Sequence, residues 1–205
     1  MKITLLLEFS ERQQLRDWLT ENHASAKECW VVLSRSKNPP AGVLPYLDVV
    51  EEALCFGWID STIKHIDPLY RAQRFTPRKP GSPYSQPNIE RLQWLDRQGL
   101  LHPSVRDVVL PTIMAPYIFP EDILAELRQD ENVWAHFSAF PDGYKRIRVA
   151  YIDAARKRPA EFQRRLASFL KKTRENQSLR GCIILFGVQQ LQTVRFSHGT
   201  RRYSV

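Results

Sequence analysis

Leu15, Trp18 and Leu19 recur at the three- and four-residue spacing of one helical face, and Ser10 stands where a helix cap would, which predicts a helix running through Asn22. Residues 28–36 (ECWVVLSRS) then read as a strand, and 37–42 as a loop. Pro45 can open the next helix at its first turn, where a missing N–H costs nothing; Leu47, Val50 and Leu54 carry that helix to Gly57. At Trp58 the period changes. Ile59, Ile63 and Ile66 alternate unevenly with Asp60, Ser61 and Lys64, and 69–76 returns after an Asp67-Pro68 turn signal, which predicts a short hairpin. Prolines 77, 80, 83 and 87 with Gly81 exclude helix or central strand from 77 to 87.

Helical spacing governs the rest of the chain. Asn88 can cap a helix whose Ile89, Leu92 and Leu95 face inward up to Gly99, and Pro103 can start another that runs to about Met114 past Pro111. Stretches 121–130, 132–139 and 142–157 read as helices, and Pro159 separates the last from 160–175, where Phe162, Leu166, Phe169 and Leu170 form an apolar stripe. The fold class expected is α+β and mostly helical, with a small antiparallel sheet in the N-terminal half and a helical C-terminal unit. The domain reading is an α+β domain over 1–116, a helical unit over 117–176 and a tail over 177–205. Within the tail, 182–188 (CIILFGV) reads as a strand or a docked terminal segment, much shorter than the roughly 20 residues that span a bilayer.

Length and charge narrow the classes. A chain of 205 residues is long enough to bury a core without disulfides. Cys29, Cys55 and Cys182 are odd in number and lack the spacing of a zinc or redox motif; Cys55, between Leu54 and Phe56, reads as a small buried hydrophobe. The apolar run 3–9 is interrupted by Glu8 and has no cleavage-site pattern after it, so the expected location is the cytoplasm. Residues 1–140 carry 15 Lys/Arg against 18 Asp/Glu, 141–175 carry 11 against 4, and 176–205 carry 4 against none. The net charge of +8 therefore belongs to the C-terminal third. That asymmetry suits either a solvated basic helical face or a polyanionic partner.

Candidate chemistry concentrates between Ala53 and Asn88. Lys64, Arg74, Arg78 and Arg91 supply cations near the hydroxyls of Ser82 and Ser85 and the amide of Asn88, a set suited to holding a carboxylate or phosphate. Trp58 and Phe75 can form a flat apolar wall, while Asp60 and Asp67 are candidates for counter-charge or for acid–base catalysis. An alternative assigns Asp60 and Asp67 to ion pairs with Arg74 or Arg78 that lock the hairpin, and Trp58 to the core. The histidines 23, 65, 102, 136 and 198 are dispersed, and no metal-ligand spacing or Gly-rich phosphate loop occurs. No cofactor is implied, and the sequence sets no oligomeric state.

EEALCFGWIDS at 51–61, RFTPRK at 74–79, SPYSQPN at 82–88, FP at 119–120, AARKRP at 154–159 and EFQRRLASFLKKTRENQ at 161–177 together give a resemblance. Over most of its length the chain resembles the bacteriocin-protection, YdeI or OmpD-associated family of bacterial proteins. The resemblance implies a role in tolerance of bacteriocins or antimicrobial peptides and in envelope stress, without an assigned reaction. Tyr84 stands where the family loop is expected to carry Trp, and the likeness fades from Leu179. Three functional readings follow. The first is a protein that binds an anionic small molecule or phosphate-bearing group. The second is a nucleic-acid-binding protein using Lys145, Arg146, Arg148, Arg156, Lys157, Arg164, Arg165, Lys171 and Lys172. The third is an interaction adaptor without chemistry.

Overall fold

The structure is a computed structural model that describes residues 2–36 and 38–177. The expected segment at 182–188 lies outside the described residues. The chain divides after Ala115 into two compact units. In the first, elements run β1 (Leu6–Leu7), α1 (Arg12–Asn22), β2 (Cys29–Ser34), α2 (Tyr46–Cys55), β3 (Trp58–His65), β4 (Tyr70–Pro77), α3 (Gln86–Arg97) and α4 (Pro103–Met114). In the second they run α5 (Glu121–Arg128), α6 (Glu131–Ala139), α7 (Asp142–Asp153) and α8 (Pro159–Arg174). The α+β class with a dominant helical content is as expected.

The sheet order is β1-β2-β4-β3. β4 pairs antiparallel with β3 on one side and with β2 on the other, with Cys29 opposite Phe75 and Ser34 opposite Tyr70. β1 adds a parallel pairing, Leu6 opposite Trp30, so the sheet is mixed; a two-residue strand is too short to show a period in sequence. The uneven alternation after Asp60 has a structural cause. The β3–β4 register shifts between Asp60 and Ile63, a bulge that leaves Ser61 and Thr62 without paired residues on β4.

Two helix starts differ from the pattern reading. α1 is capped at Glu11 and not at Ser10, because the Gln14 side chain reaches back to accept the N–H groups of both Ser10 (2.9 Å) and Glu11 (3.1 Å). α3 begins at Gln86 behind an N-cap at Ser85, so Asn88 lies inside its first turn; Pro87 fits there because first-turn N–H groups need no partner.

One face of the sheet, with α1 to α4, encloses the core of the first unit. Leu15, Leu19, Val31, Leu33, Leu54, Trp58, Phe75, Leu92, Leu95 and Val109 are all buried there. Gly57 ends α2 with φ +72°, and a Cβ built on it would meet Val105 Cγ2 at 3.3 Å, so both backbone shape and space call for glycine. In the second unit Ile123, Leu127, Val133, Phe137, Ile147, Ile152, Leu166 and Phe169 form a separate core. The α6 cap is Asp130, whose carboxylate accepts the N–H groups of Asn132 and Val133.

Candidate functional site

Successive side chains of a strand point to opposite faces, so the sheet itself sorts the residues singled out from sequence. Arg74 pairs in register with Trp30 on the face away from the helices, and its guanidinium is engaged by Glu28 through Nε at 2.8 Å and a second contact from Nη2. Hydrogen bonds from Thr4 and then Arg74 hold the Glu28 carboxyl below the usual range. Lys64 lies on the same face, its Nζ 5.7 Å from the centre of the Trp30 ring. Trp58 and Phe75 are on the helix-covered face and buried. The Trp58 indole N–H donates to the His23 carbonyl at 3.1 Å, and its ring meets Trp18 edge-on at 5.9 Å. These two rings are core and line no exposed wall.

Other candidates hold local backbone. Asp67 Oδ1 accepts the N–H groups of Leu69 (2.7 Å) and Tyr70 (2.8 Å), closing the hairpin turn. Arg78 lies 3.8 Å from the centre of the Tyr84 ring and donates to the carbonyls of Ser82 and Pro83, while Ser82 Oγ donates to the Lys79 carbonyl. The Ser85 carbonyl accepts the N–H groups of Asn88 and Ile89. The aromatic at 84 thus serves as a platform for Arg78.

Asp60 and Arg91 are different, because two elements, α2 and β4, bring unpredicted side chains around them. The Tyr46 hydroxyl, at the start of α2, donates to Asp60 Oδ2 at 2.7 Å. Arg71 of β4 places its guanidinium carbon 5.6 Å from the centre of the Tyr46 ring. Burial pushes the Tyr46 phenol far above its ordinary pKa and the Asp60 hydrogen bond adds to this, while the positive charges of Arg91 and Arg71 oppose it. Gln73, 1% exposed, donates to the Ser61 carbonyl at 3.3 Å, and Arg91, 8% exposed, donates to Asn88 Oδ1 at 2.9 Å. Arg91 also eases the Glu51 carboxyl, which burial raises despite its ion pair with Arg12.

Arg71 is the distinctive member. No carboxylate among the described residues forms an ion pair with it, and its buried Nε has no hydrogen-bond partner. A half-buried guanidinium in that state retains donors for an incoming oxyanion. Tyr46 stays protonated at neutral pH and offers a polarised phenol beside it. Sequence reading missed Tyr46 and Arg71 because each looks like an ordinary helix-start or strand residue until the packing of α2 on the sheet brings the Tyr46 hydroxyl to Asp60 and its ring to Arg71.

A separate cavity of about 450 Å³ lies between the end of β2 and the hairpin turn, with Ser34, Arg35, Leu69 and Tyr70 in its walls and none of the sequence candidates. Among the described residues no three His, Cys, Asp or Glu side chains are placed to hold a metal. No described helix is long and apolar enough to cross a membrane. Cys29 and Cys55 are buried, and desolvation pushes both thiols up to about 12.

The second unit bears on the polyanion reading. Its α5 and α6 carboxylates answer the basic helices: Asp122 pairs with Arg156 and Asp130 with Arg174, both at 2.8 Å, while Glu161 holds Arg164 and Arg165. Residues 116–177 carry 12 Lys/Arg against 9 Asp/Glu, a net charge of +3 and well below the excess of 141–175 read alone.

Comparison with known families divides the chain at nearly the same place. Residues 7–108 match the model Domain of unknown function (DUF8412), which includes both the EEALCFGWIDS and RFTPRK motifs. Residues 116–176 match the model Bacteriocin-protection, YdeI or OmpD-Associated. No curated protein and no solved structure matches the chain. The likeness to the bacteriocin-protection, YdeI or OmpD-associated family is thus carried by the helical segment 116–176.

Proposed function

We propose that the N-terminal unit binds the carboxylate or phosphate group of a small molecule at Arg71, with Arg91, Tyr46 and Asp60 completing the contact set. The observation that carries this reading is the Arg71 guanidinium: stacked on Tyr46, partly removed from water and lacking a carboxylate partner among the described residues. Removing a cation from water without a counter-charge is unfavourable, so such a group gains most from an external anion. With its one proton given to Asp60, the Tyr46 hydroxyl joins the Asp60 carboxylate in offering hydrogen-bond acceptors to a donor group elsewhere on the ligand, beside the cation that takes its anion. The family name connects the chain to bacteriocin protection; in our reading the protein acts in the cytoplasm, where it captures an anionic metabolite during such stress.

The test is a binding screen of small carboxylates and phosphates against the full chain, followed by calorimetry on Arg71→Gln and Tyr46→Phe. Loss of one charge-assisted hydrogen bond is worth about 1.5–3 kcal/mol, so Arg71→Gln should weaken a genuine ligand by at least about tenfold while the fold persists. Equal affinity in wild type and Arg71→Gln for every ligand found would overturn the reading.

A further inference from the structure

The second unit contains another arginine in an unusual state. Arg148 and Tyr151 are three residues apart on α7 and therefore share one face of it. The Arg148 guanidinium carbon lies 5.2 Å from the centre of the Tyr151 ring and 5.9 Å from that of Phe169 on α8. Its Nε is buried without a hydrogen-bond partner, and it forms no ion pair or hydrogen bond among the described residues. The contrast with its neighbours is sharp. Arg156, Arg164, Arg165 and Arg174 each have a carboxylate, although three of them are more exposed to solvent and need one less.

On the other helix Arg165 brings its guanidinium carbon to 3.8 Å from the centre of the same Tyr151 ring. Its Nε is taken by Glu161 and its Nη1 by the Tyr151 carbonyl at 2.6 Å, which fixes the plane of the fork and leaves Nη2 as its outward donor pair. Tyr151 is 44% exposed and its hydroxyl has no partner among the described residues. Two guanidinium forks and one phenol hydroxyl are thus held around a single ring by packing and hydrogen bonds. Glu161 is shared between Arg164 and Arg165 and Arg148 has no carboxylate among the described residues, so these three arginines exceed their one carboxylate by two positive charges.

We propose that Arg148, Tyr151 and Arg165 form a phosphate-binding site in the helical unit, distinct from the Arg71 cluster. Guanidinium forks match the edges of a tetrahedral oxyanion, and a fork pre-set by aromatic packing loses little freedom on binding. The Tyr151 ring is occupied by the two guanidiniums, which disfavours base stacking and directs recognition to the phosphate group itself. That group can arrive as free phosphate or on a lipid headgroup.

The experiment titrates the ¹⁵N-labelled full chain with sodium phosphate at constant ionic strength and follows the arginine Nε–Hε resonances. A parallel arm measures sedimentation with vesicles of neutral lipid and of neutral lipid plus phosphatidic acid. Saturable movement of the Arg148 and Arg165 signals identifies free phosphate as the source. Binding to phosphatidic acid vesicles alone, lost in Arg148→Gln, identifies a headgroup. In either case Arg148→Gln should weaken binding, read at the Arg165 resonance or in the vesicle pellet, by about tenfold or more. Because Arg148 also packs on Phe169, Tyr151→Phe provides a variant that removes one exposed hydroxyl only, with an expected loss of a few-fold. Resonances that move only linearly with phosphate, together with vesicle binding that is absent or unaffected by Arg148→Gln, would overturn the proposal. Binding of single-stranded DNA at full strength by Arg148→Gln, with no phosphate response, would overturn it too.

Discussion

Replacing Trp58 by alanine separates a core role for this ring from a ligand-facing one. The side chain is 1% exposed, touches Trp18 edge-on and donates its indole N–H to the His23 carbonyl. Truncating a buried Trp costs about 3–5 kcal/mol through lost burial and the cavity left behind. Loss of the aromatic pair and of the hydrogen bond each adds about 1 kcal/mol, though the three terms overlap and do not simply sum. An expected loss of about 4–6 kcal/mol is a large share of the roughly 5–15 kcal/mol that holds a domain folded. Trp58→Phe keeps most of the burial but leaves the His23 carbonyl without its donor, so it should cost about 1–2 kcal/mol. Urea unfolding followed by far-UV circular dichroism gives the total, and hydrogen exchange at the β4 amides localises it to the first unit. A loss under about 1 kcal/mol in Trp58→Ala, accompanied by a selective fall in anion affinity, would refute the core assignment.

Two further outcomes follow from charge and burial. Cys29 and Cys55, with thiols pushed up to about 12 by burial, should resist a thiol reagent at pH 8 in the native protein and react once the chain is unfolded in guanidinium; rapid native labelling of Cys55 would contradict its packing. Hydrogen bonds from Arg164 and then Arg165 lower the Glu161 carboxyl from 4.5 to about 2. A folded-state pKa below the unfolded one gives stabilisation that is present above pH 4.5 and lost as pH falls toward about 2. Carboxyl ¹³C titration should show that depressed midpoint, and Arg164→Gln should move it upward; an unmoved midpoint would rule out the pairing.

Several features of the fold were legible without coordinates. The spacing of Leu15, Trp18 and Leu19, the proline at 45, the turn signal at Asp67-Pro68 and the stripe from Phe162 to Leu170 each report a local preference that tertiary packing left intact. Caps were less legible. Ser10 and Asn88 are good capping residues, yet Gln14 and Pro87 moved each helix start, because the cap belongs to whichever side chain reaches the free N–H groups. β1 escaped notice because a parallel pair of two residues draws its stability from β2 and not from its own pattern.

Sequence alone determined the elements, the change from mixed to helical architecture and the concentration of polar chemistry between Ala53 and Asn88, since these depend on neighbours a few positions apart. Tertiary structure decided which of those residues meet. It placed Arg74 and Lys64 on one face of the sheet and Asp60 on the other, sent Trp58 and Phe75 into the core, and used Arg78 to brace a loop. It also drew in Tyr46 and Arg71, and in the other unit set Arg148 and Arg165 around Tyr151. The physical reason is strand parity. A bulge or a one-residue change of register moves a side chain to the opposite face of the sheet, and that choice is made by pairing with β4 across the chain.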